Sequence, residues 1–300
     1  MQELLNAIAS FAPLRVRIDE PMSRHTTFRV GGPADLMFFP ESANEIARAM
    51  FLAKEYGKDV LVMGNGSNLI VRDGGFRGLV IVLGEHMARI DINDTCVRAQ
   101  AGAMLARVSA AAQEAGLAGF EFASGIPGTL GGGCAMNAGA YGGQLSDALV
   151  SAEVLMDGEI RTLSNADMQM SYRNTLPLRT GGIVLSAKFT LRRDDPDAIL
   201  TRMKDLNVRR REKQPLNLPS AGSTFKRPEG YYAGALIEGC GLKGARVGGA
   251  QVSEKHAGFI VNVGGATAAD ILALIDLVRQ RVLSQAGVML EPEVRIVGED

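Results

Sequence analysis

Continuous apolar runs and helically spaced apolar positions divide the chain into short strands and helices. Apolar runs bounded by turn residues predict buried strands. These runs lie at 36–39, 59–63, 69–71, 79–83, 97–101, 182–191, 258–263 and 293–297. Apolar positions that recur at helical spacing predict helices. These positions lie at 4–11, 41–56, 104–115, 197–212 and 232–238.

Local signals define further elements and the fold class. Asp157-Gly158 between two apolar runs predicts a β-hairpin. Thr267 and Asp270 have the spacing of a capping box, and the helix that follows carries its apolar residues on one stripe. Strands and helices alternate irregularly, so we predict an α+β fold with two or three small sheets rather than one doubly wound sheet. The length of 300 residues suits two domains, and a turn-rich break places a boundary near 200.

The stretch 125–143, GIPGTLGGGCAMNAGAYGG, contains eight glycines in nineteen residues. Glycine is expected where backbone must approach another group closely or adopt positive φ. The stretch has almost no charge and no acidic cluster, so we expect bare N–H groups that could hold an anion. The alternative interpretation is a set of glycine-rich turns that packs against the rest of the protein and binds no ligand.

A second glycine loop, Gly64-Asn65-Gly66-Ser67-Asn68, joins two predicted strands. Leu69 stands where the dinucleotide fingerprint would place its third glycine, and that fingerprint opens a helix instead. The chain also lacks the glycine-rich loop with Lys that binds nucleotide phosphates. We therefore predict a phosphate-binding loop between two strands, distinct from both motifs.

Composition and charge narrow the classes of partner. The formal net charge is −1 and only 5% of residues are aromatic, so neither a basic surface nor base-stacking platforms for nucleic acid are expected. The three scattered cysteines predict reduced, buried thiols in the cytoplasm. The N-terminus lacks a basic region, and no apolar run reaches membrane-spanning length. We expect a cytoplasmic protein that binds small molecules, without nucleic acid, a membrane or a metal. That it is a monomer is a separate expectation, which composition and charge do not supply.

Four polar segments could carry chemistry. Ser223 follows a glycine and precedes two cations, which suits a proton donor or simply a turn cap. Glu293 and Arg295 would face the same side of an alternating strand. Such a pair could belong to a site or could be an ordinary ion pair at a solvated strand edge. The segment 171–175, SYRNT, is a compact polar set or an exposed turn. The cations of 209–213 could bind phosphates or only end a helix in solvent.

Taken together and in this order, these motifs resemble the UDP-N-acetylenolpyruvoylglucosamine reductase family, also called UDP-N-acetylmuramate dehydrogenase. The resemblance covers essentially the whole chain, and the ordered set of motifs is far more specific than any one of them. It rests on HTTFRVGGPAD, VMGNGSNLIVRDGGFRG, GIPGTLGGGCAMNAGAYG, SYRNT, RRREKQP, AGSTFKRP and LEPEVR.

The resemblance implies a cytosolic flavoenzyme of peptidoglycan precursor synthesis. It implies an FAD-binding domain of the vanillyl-alcohol-oxidase type in two subdomains at 1–200, a smaller α+β substrate-binding domain at 201–287, and a C-terminal strand at 288–300 that returns to the active site and the FAD domain. FAD would be bound non-covalently and reduced by NADPH. The reduced flavin would then convert the enolpyruvyl ether of UDP-N-acetylglucosamine to UDP-N-acetylmuramate.

The resemblance also implies roles for single residues. Ser223 would donate a proton, while Arg173 and Glu293 would stabilise the enolate form of the substrate carboxylate. The substrate would be bound by Tyr172, Lys213 and Arg227. FAD would be bound by Gly64, Asn65, Gly66, Ser67, Asn68, Gly125, Ile126, Pro127, Gly128, Gly132, Asn137, Gly139, Tyr141, Gly142, Arg210 and Arg295.

The segment after Arg173 departs from one branch of the family. Only NTLPLRTG separates it from the next strand, whereas that branch has a longer loop with a tyrosine that covers the substrate. The chain therefore resembles the shorter-loop, or type II, branch, and Tyr172 is not given the covering role. Two alternatives remain: an oxidase with flavin tethered through His25, His86 or Cys134, and a flavin-binding regulator without activity. A silent regulator would have no reason to keep Ser223, Arg173 and Glu293.

Overall fold

The computed structural model describes residues 1–300 as eight α-helices and eighteen strands. The helices are α1 (Gln2–Ala9), α2 (Ala43–Glu55), α3 (Leu105–Glu114), α4 (Leu130–Ala135), α5 (Leu176–Thr180), α6 (Pro196–Lys213), α7 (Ala233–Gly239) and α8 (Ala268–Ala286). The strands are β1 (Val16–Pro21), β2 (Pro33–Phe38), β3 (Asp59–Met63), β4 (Leu69–Val71), β5 (Phe76–Val82), β6 (Ile90–Asn93), β7 (Cys96–Gln100), β8 (Leu117–Ala118), β9 (Gly139–Ala140), β10 (Gly143–Gln144), β11 (Leu149–Met156), β12 (Glu159–Ser164), β13 (Ile183–Thr190), β14 (Arg192–Arg193), β15 (Arg246–Val247), β16 (Ala250–Val252), β17 (Ile260–Asn262) and β18 (Arg295–Val297).

Most predicted elements are present near their predicted bounds. The strands at 59–63 and 69–71 match β3 and β4, and the hairpin joins β11 to β12. Asp157 and Gly158 both have positive φ, 52° and 82°, as a two-residue turn between twisted strands requires.

Three structural predictions are wrong. There are six sheets rather than two or three, because very short strands form additional two-stranded pairs. The glycine-rich stretch contains the helix α4, and the segment after Arg173 contains α5; neither helix was predicted. The last strand begins at Arg295, so Glu293 lies before it and the two side chains do not share a strand face.

The chain divides into two compact units. The first comprises Met1–Arg17, Leu36–Asn65 and Gly78–Arg210, and the second comprises Ile18–Asp35, Gly66–Arg77 and Arg211–Asp300. The functional division at 200 and 287 remains a prediction.

The first unit contains two apolar cores. A five-stranded antiparallel sheet in the order β12-β11-β13-β7-β6 packs against α3, and its core includes Val97, Phe120, Leu130, Val154 and Phe189. The parallel pair β3-β5 packs with α1 and α2 in the second core. Burial of these apolar side chains is the main term that stabilises such a unit.

The second unit is built around α8. The antiparallel sheet β15-β16-β17 and helix α7 contact this helix, and the parallel pair β4-β18 joins distant parts of the chain. Ile271, Leu274, Ile275, Val278 and Val282 are buried on one stripe of α8, as predicted. None of the helices in the structure has both the length and the apolar character needed to cross a membrane.

The capping box at the start of α8 is confirmed. Thr267 Oγ1 accepts a hydrogen bond from the Asp270 N–H (3.0 Å), and the Asp270 carboxylate accepts one from the Thr267 N–H (3.1 Å). Bonds from the N–H groups of Thr267 and Gly249 lower the pKa of Asp270. A lowered folded pKa means that this stabilisation is present above the ordinary aspartate pKa and is lost as the pH falls through the lowered value.

We expect Thr267→Ala to lower the free energy of unfolding by about 1 kcal/mol, because an N-cap acceptor is lost. Denaturant unfolding followed by circular dichroism measures the change. Thr201→Ala on the exposed face of α6 is the control, since alanine favours a helix interior and no cap is removed. Equal effects of the two substitutions would contradict a stabilising role for the capping box.

Candidate functional site

In the first unit, the glycine-rich stretch and the SYRNT segment are joined. Thr175 is fully buried, caps α5, and donates from Oγ1 to the carbonyl of Ala135 at the end of α4 (2.7 Å). Reciprocal backbone bonds between Ser171 and Asn174 close a tight turn (2.8 and 3.2 Å). This turn carries Tyr172 and Arg173 at its tip, so the glycine-rich stretch fixes the position of Arg173.

Arg173 has an unusual backbone conformation, with φ of 54°. This left-handed region is uncommon for a residue other than glycine and is often found at functional sites. Its guanidinium carbon lies 5.2 Å from the centre of the Tyr172 ring, and that ring is exposed. Tyr172 therefore packs beside Arg173 at the tip of the turn.

The second glycine loop contacts the glycine-rich stretch at Asn65. The Asn65 amide donates to the carbonyl of Pro127 (2.7 Å), and Gly64 lies against the side chain of Thr129. Gly128 is buried and its carbonyl accepts from the Leu105 N–H (3.0 Å), which ties the stretch to α3. Asn65, Pro127 and Gly132 remain exposed. The first unit therefore presents an uncharged surface of backbone and amide groups here, and Thr129 itself is buried.

Arg210 lies beside the start of the glycine-rich stretch. A Cβ on Gly125 would lie 2.7 Å from an Arg210 nitrogen and 2.7 Å from Asn207 Oδ1, so this helix face approaches the bare backbone. Asn207 also donates to Ser124 Oγ (3.2 Å). Burial lowers the pKa of Arg210, while the Tyr141 side chain opposes that shift. A largely buried guanidinium next to bare backbone is a suitable partner for an anion.

Several N–H groups of the glycine-rich stretch are not bare, which restricts the predicted anion site to the remaining ones. The N–H groups of Leu130 and Gly131 donate to the carbonyls of Ala103 and Ala101 (2.7 and 2.8 Å), and Gly133 donates to Thr129 (2.8 Å). Ile126 donates to Ala123 (3.1 Å). Much of the stretch is thus fixed by its own hydrogen bonds, and its exposed parts are short.

Asn137, inside the glycine-rich stretch, forms hydrogen bonds that stabilise a turn. It is buried, has φ of 46°, and its amide donates to Gln144 Oε1 (3.1 Å) and Ser146 Oγ (3.2 Å). These bonds stabilise the turn between β9 and β10, in which Gly139 pairs with Gln144. Tyr141 and Gly142 form the exposed tip of that turn.

In the second unit, Ser223 and Glu293 are brought together by backbone pairing. The Glu293 N–H donates to the carbonyl of Thr224 (2.8 Å), and the Lys226 N–H donates to Glu291 (2.9 Å). Phe225 and Pro292 form an antiparallel bridge between these hydrogen bonds. Ser223 and Glu293 are both half-buried. Ser223 directly precedes Thr224, whose carbonyl accepts the Glu293 N–H.

Asn68 and Gly66 have structural partners in the second unit. The Asn68 amide donates to the Glu293 carbonyl (3.1 Å), and its own carbonyl accepts from the Arg295 N–H (3.0 Å). Gly66 has φ of 59°, and a Cβ there would lie 2.9 Å from Thr26 Cα and collide with the His25 carbonyl. Glycine is therefore required at this position by the fold itself. Ser67, between them, is half-buried.

The predicted cations of the second unit are exposed. Lys213 ends α6, and Arg295 begins β18. Arg227 stacks over the Tyr232 ring, with its guanidinium carbon 4.0 Å from the ring centre. These positions leave all three side chains accessible to a ligand.

Three residues of these clusters were not predicted from the sequence. Thr129 contacts the Gly64 loop, Asn207 contacts Gly125, and Thr224 bonds to Glu293. Thr129 and Thr224 lie inside motifs quoted for the family resemblance, which is the signal that could have found them. Asn207 lies on a polar helix without a distinguishing pattern.

Comparison with known proteins identifies the family. A model described as an FAD binding domain matches residues 34–164, and one described as the C-terminal domain of UDP-N-acetylenolpyruvoylglucosamine reductase matches 214–297. The UDP-N-acetylenolpyruvoylglucosamine reductase of Clostridioides difficile (strain 630) is 51% identical over 286 residues, which is 95% of this chain and 94% of its own length. This chain belongs to the UDP-N-acetylenolpyruvoylglucosamine reductase family.

Other members and solved structures agree with this assignment. The reductase of Pediococcus pentosaceus is 51% identical over 97% of both chains. The crystal structure of the reductase from Thermus caldophilus has a TM-score of 0.80 and 36% identity, and covers 94% of this chain and 97% of its own. An alkyldihydroxyacetonephosphate synthase shares the fold alone over 64% of this chain and 40% of its own, with a TM-score of 0.51 and 19% identity. The predicted fold, an FAD-binding domain of the vanillyl-alcohol-oxidase type with a C-terminal reductase domain, is confirmed.

We expect Gly66→Ala to destabilise the protein whether or not a ligand binds. Left-handed backbone strain contributes about 1–2 kcal/mol and overpacking against His25 and Thr26 about 1–3 kcal/mol more. Gly230→Ala is the control, because Gly230 has φ of 75° and nothing within 4 Å of the added Cβ. Thermal unfolding of both variants measures the difference. Equal losses would show that the close approach at Gly66 contributes nothing.

Proposed function

We propose that this protein is an FAD-containing reductase that uses NADPH to reduce the enolpyruvyl group of UDP-N-acetylglucosamine enolpyruvate to give UDP-N-acetylmuramate. The proposal rests on 51% sequence identity to reductases that align over 95% and 97% of this chain. The pairing of the Ser223 and Glu293 segments supports it. Oxidoreductase chemistry in peptidoglycan precursor synthesis follows from the family name. We further propose a cytoplasmic monomer whose ligands are small molecules.

The residues of the first unit fit an FAD diphosphate. The exposed backbone of the glycine-rich stretch and the Asn65 amide form an uncharged surface, and Arg210 approaches the backbone of the same stretch at Gly125. Backbone N–H groups and a single guanidinium suit a diphosphate without a large positive field. We propose that this surface, with Gly132 and the tip at Tyr141, binds FAD non-covalently. Arg295 and residues Gly66, Ser67 and Asn68 belong to the second unit, and their assignment to FAD stays a prediction.

Gly132→Ala tests the FAD surface without disturbing the fold. Gly132 is exposed in α4, and an added Cβ would meet only Thr129 Oγ1 at 3.7 Å. Alanine should favour the helix by up to about 1 kcal/mol, yet its methyl would occupy space that a phosphate needs. We expect unchanged or higher thermal stability of the ligand-free protein and weaker FAD binding, measured by flavin fluorescence titration.

The matched control is Gly239→Ala. Gly239 is also an exposed helical glycine, with nothing within 4 Å of the added Cβ. This substitution should leave FAD affinity unchanged. Parent-like FAD affinity in Gly132→Ala would remove Gly132 from the cofactor surface.

The proposed reaction adds two hydrogens across the vinyl bond. Bound FAD would supply the hydride chemistry, so that the hydride lost by NADPH is gained at the terminal vinyl carbon. The π electrons then form a carbanion at the carbon that bears the ether oxygen, in conjugation with the carboxylate. A proton delivered to that carbon completes the lactyl ether, and NADP is the oxidised product.

The side chains would handle the proton and the developing charge. Ser223 would donate its hydroxyl proton to the carbon beside the carboxylate. Arg173 would bind the carboxylate, where charge increases in the transition state, with Glu293 tuning that charge. A group that binds this charge more strongly in the transition state than in the bound substrate lowers the activation barrier and raises kcat. A group that binds both states equally lowers only the KM.

Exposed cations would bind the substrate diphosphate. We assign this role to Lys213 and Arg227, whose side chains are accessible. The ring of Tyr232 holds the Arg227 guanidinium in one orientation through a cation–π contact. Tyr172 would contact the substrate from beside Arg173. No residue is assigned the covering role of the longer-loop branch, since α5 fills that part of the chain.

A covalent tether at Cys134 receives no support. The thiol is fully buried in α4, and burial raises its pKa to about 12. A thiol needs its thiolate form to react, so Cys134 would be inert at neutral pH. The oxidase alternative would therefore need its tether at His25 or His86.

Ser223→Ala separates the two half-reactions. Reduction of the flavin by NADPH needs no proton from Ser223, so its rate should stay near that of the parent. Reoxidation by the enolpyruvyl substrate should slow by about 10²–10⁴-fold, the usual cost of losing a positioned acid. Stopped-flow flavin absorbance measures both steps. Ser223→Cys retains a donor and should recover part of the lost rate.

Ser284→Ala on α8 is the matched control, because this exposed serine only donates to a backbone carbonyl (3.0 Å). Both half-reactions should be unchanged in it. If Ser223→Ala is reoxidised as fast as the parent, Ser223 is a turn residue and another group is the acid. If the parent is not reoxidised by the substrate at all, the proposed function is wrong.

A further inference from the structure

Thr224 is a fully buried polar residue directly after the proposed proton donor, and the family comparison gives it no role. It has 0% exposure, and its N–H donates to the carbonyl of Gly258 (2.9 Å). Its hydroxyl oxygen accepts from the N–H of Ile260 at the start of β17 (3.1 Å). Side chain and backbone of one residue therefore attach the serine segment to the sheet of the second unit.

The carbonyl of Thr224 makes a third bond, to the proposed partner residue. The Glu293 N–H donates to it (2.8 Å), while the Glu293 carbonyl accepts from the Asn68 amide (3.1 Å). Both backbone polar groups of Glu293 are thus held, one of them by Thr224. Because Val294 and Phe225 on either side are buried, this region has little freedom to shift.

The serine has a fixed neighbour on one side and a turn on the other. Gly222 has φ of 77°, and nothing lies within 4 Å of a Cβ built on it. The hydrogen bonds of Thr224 therefore hold the serine segment on one side, whereas no packing around the Gly222 Cα does so on the other. Small errors in the position of a reacting group can cost large factors in rate.

We propose that Thr224 is a positioning residue, which holds Ser223 and Glu293 in a fixed relation by bonding the serine segment to β17 and to the Glu293 backbone. The inference rests on the proposed function, since it concerns the protonation step. Thr224 does not itself contact the substrate. Its hydroxyl acts through the Ile260 N–H and the backbone of residues 223–224.

Thr224→Val removes the acceptor with little change in shape and leaves the buried Ile260 N–H without that bond. Flavin reduction by NADPH should stay within about twofold of the parent, while reoxidation by the enolpyruvyl substrate slows about 10- to 100-fold, mainly in its limiting rate rather than in substrate affinity. Thr224→Ser keeps the acceptor and should restore most of that rate. Stopped-flow measurements at varied substrate concentration give both quantities.

Ile275→Val in the core of the second unit is the control for a general loss of stability. Ile275 is buried on α8, so this variant should unfold at lower temperature without a selective loss of reoxidation. A Thr224→Val protein with the reoxidation rate of the parent would overturn the positioning role. So would a loss in both half-reactions equal to that of Ile275→Val.

Residue-resolved hydrogen exchange of the parent holoenzyme tests the same proposal without a variant or turnover. The amides of Ile260 and Glu293 should be among the slowest to exchange in the second unit. Fast exchange at either amide would overturn the proposal, even if Thr224→Val fails to fold. If these amides are protected but the substrate never reoxidises the flavin, the attachment by Thr224 stands and the proposed function fails.

Discussion

The antiparallel pairing of residues 224–226 with 291–293 is the interaction on which the candidate site of the second unit depends. It joins two segments more than sixty residues apart through two backbone bonds and one bridge. The buried side chains of Phe225 and Val294 shield these bonds from water. Unpaired backbone groups in such a place would be costly, so the pairing and the burial stabilise each other. Glu293 is placed by this pairing rather than by a strand of its own.

Close backbone approach plays the corresponding part in the first unit. Arg210 and Asn207 on α6 reach Gly125, and Thr129 reaches Gly64. The SYRNT turn is then attached to the same stretch through Thr175. Arg173 consequently depends on a segment whose glycines admit these contacts. The glycine-rich stretch is in this sense a scaffold as well as the proposed cofactor surface.

Sequence patterns predicted the elements with a distinct spacing and missed two short helices. The stripe on α8, its capping box and the Asp157-Gly158 hairpin follow from spacing alone, since each has a distinct pattern. Helix α4 was missed because three of its six residues are consecutive glycines, which have low helix propensity. Helix α5 depends on the Thr175 cap and on Pro177 at its start, a signal too short to be read as periodicity. Glycine at position 66 also has a structural reason that no sequence pattern reveals, because an added Cβ would meet His25 and Thr26.

Steady-state NADPH consumption by the FAD-loaded protein tests the proposed activity most directly. With UDP-N-acetylglucosamine enolpyruvate, the account predicts that one NADPH is oxidised for each sugar nucleotide that gains two hydrogens, identified by mass spectrometry. UDP-N-acetylglucosamine without the enolpyruvyl group is the matched control and should leave NADPH unconsumed. Equal NADPH consumption with both compounds, or none with the enolpyruvyl compound, would contradict the account.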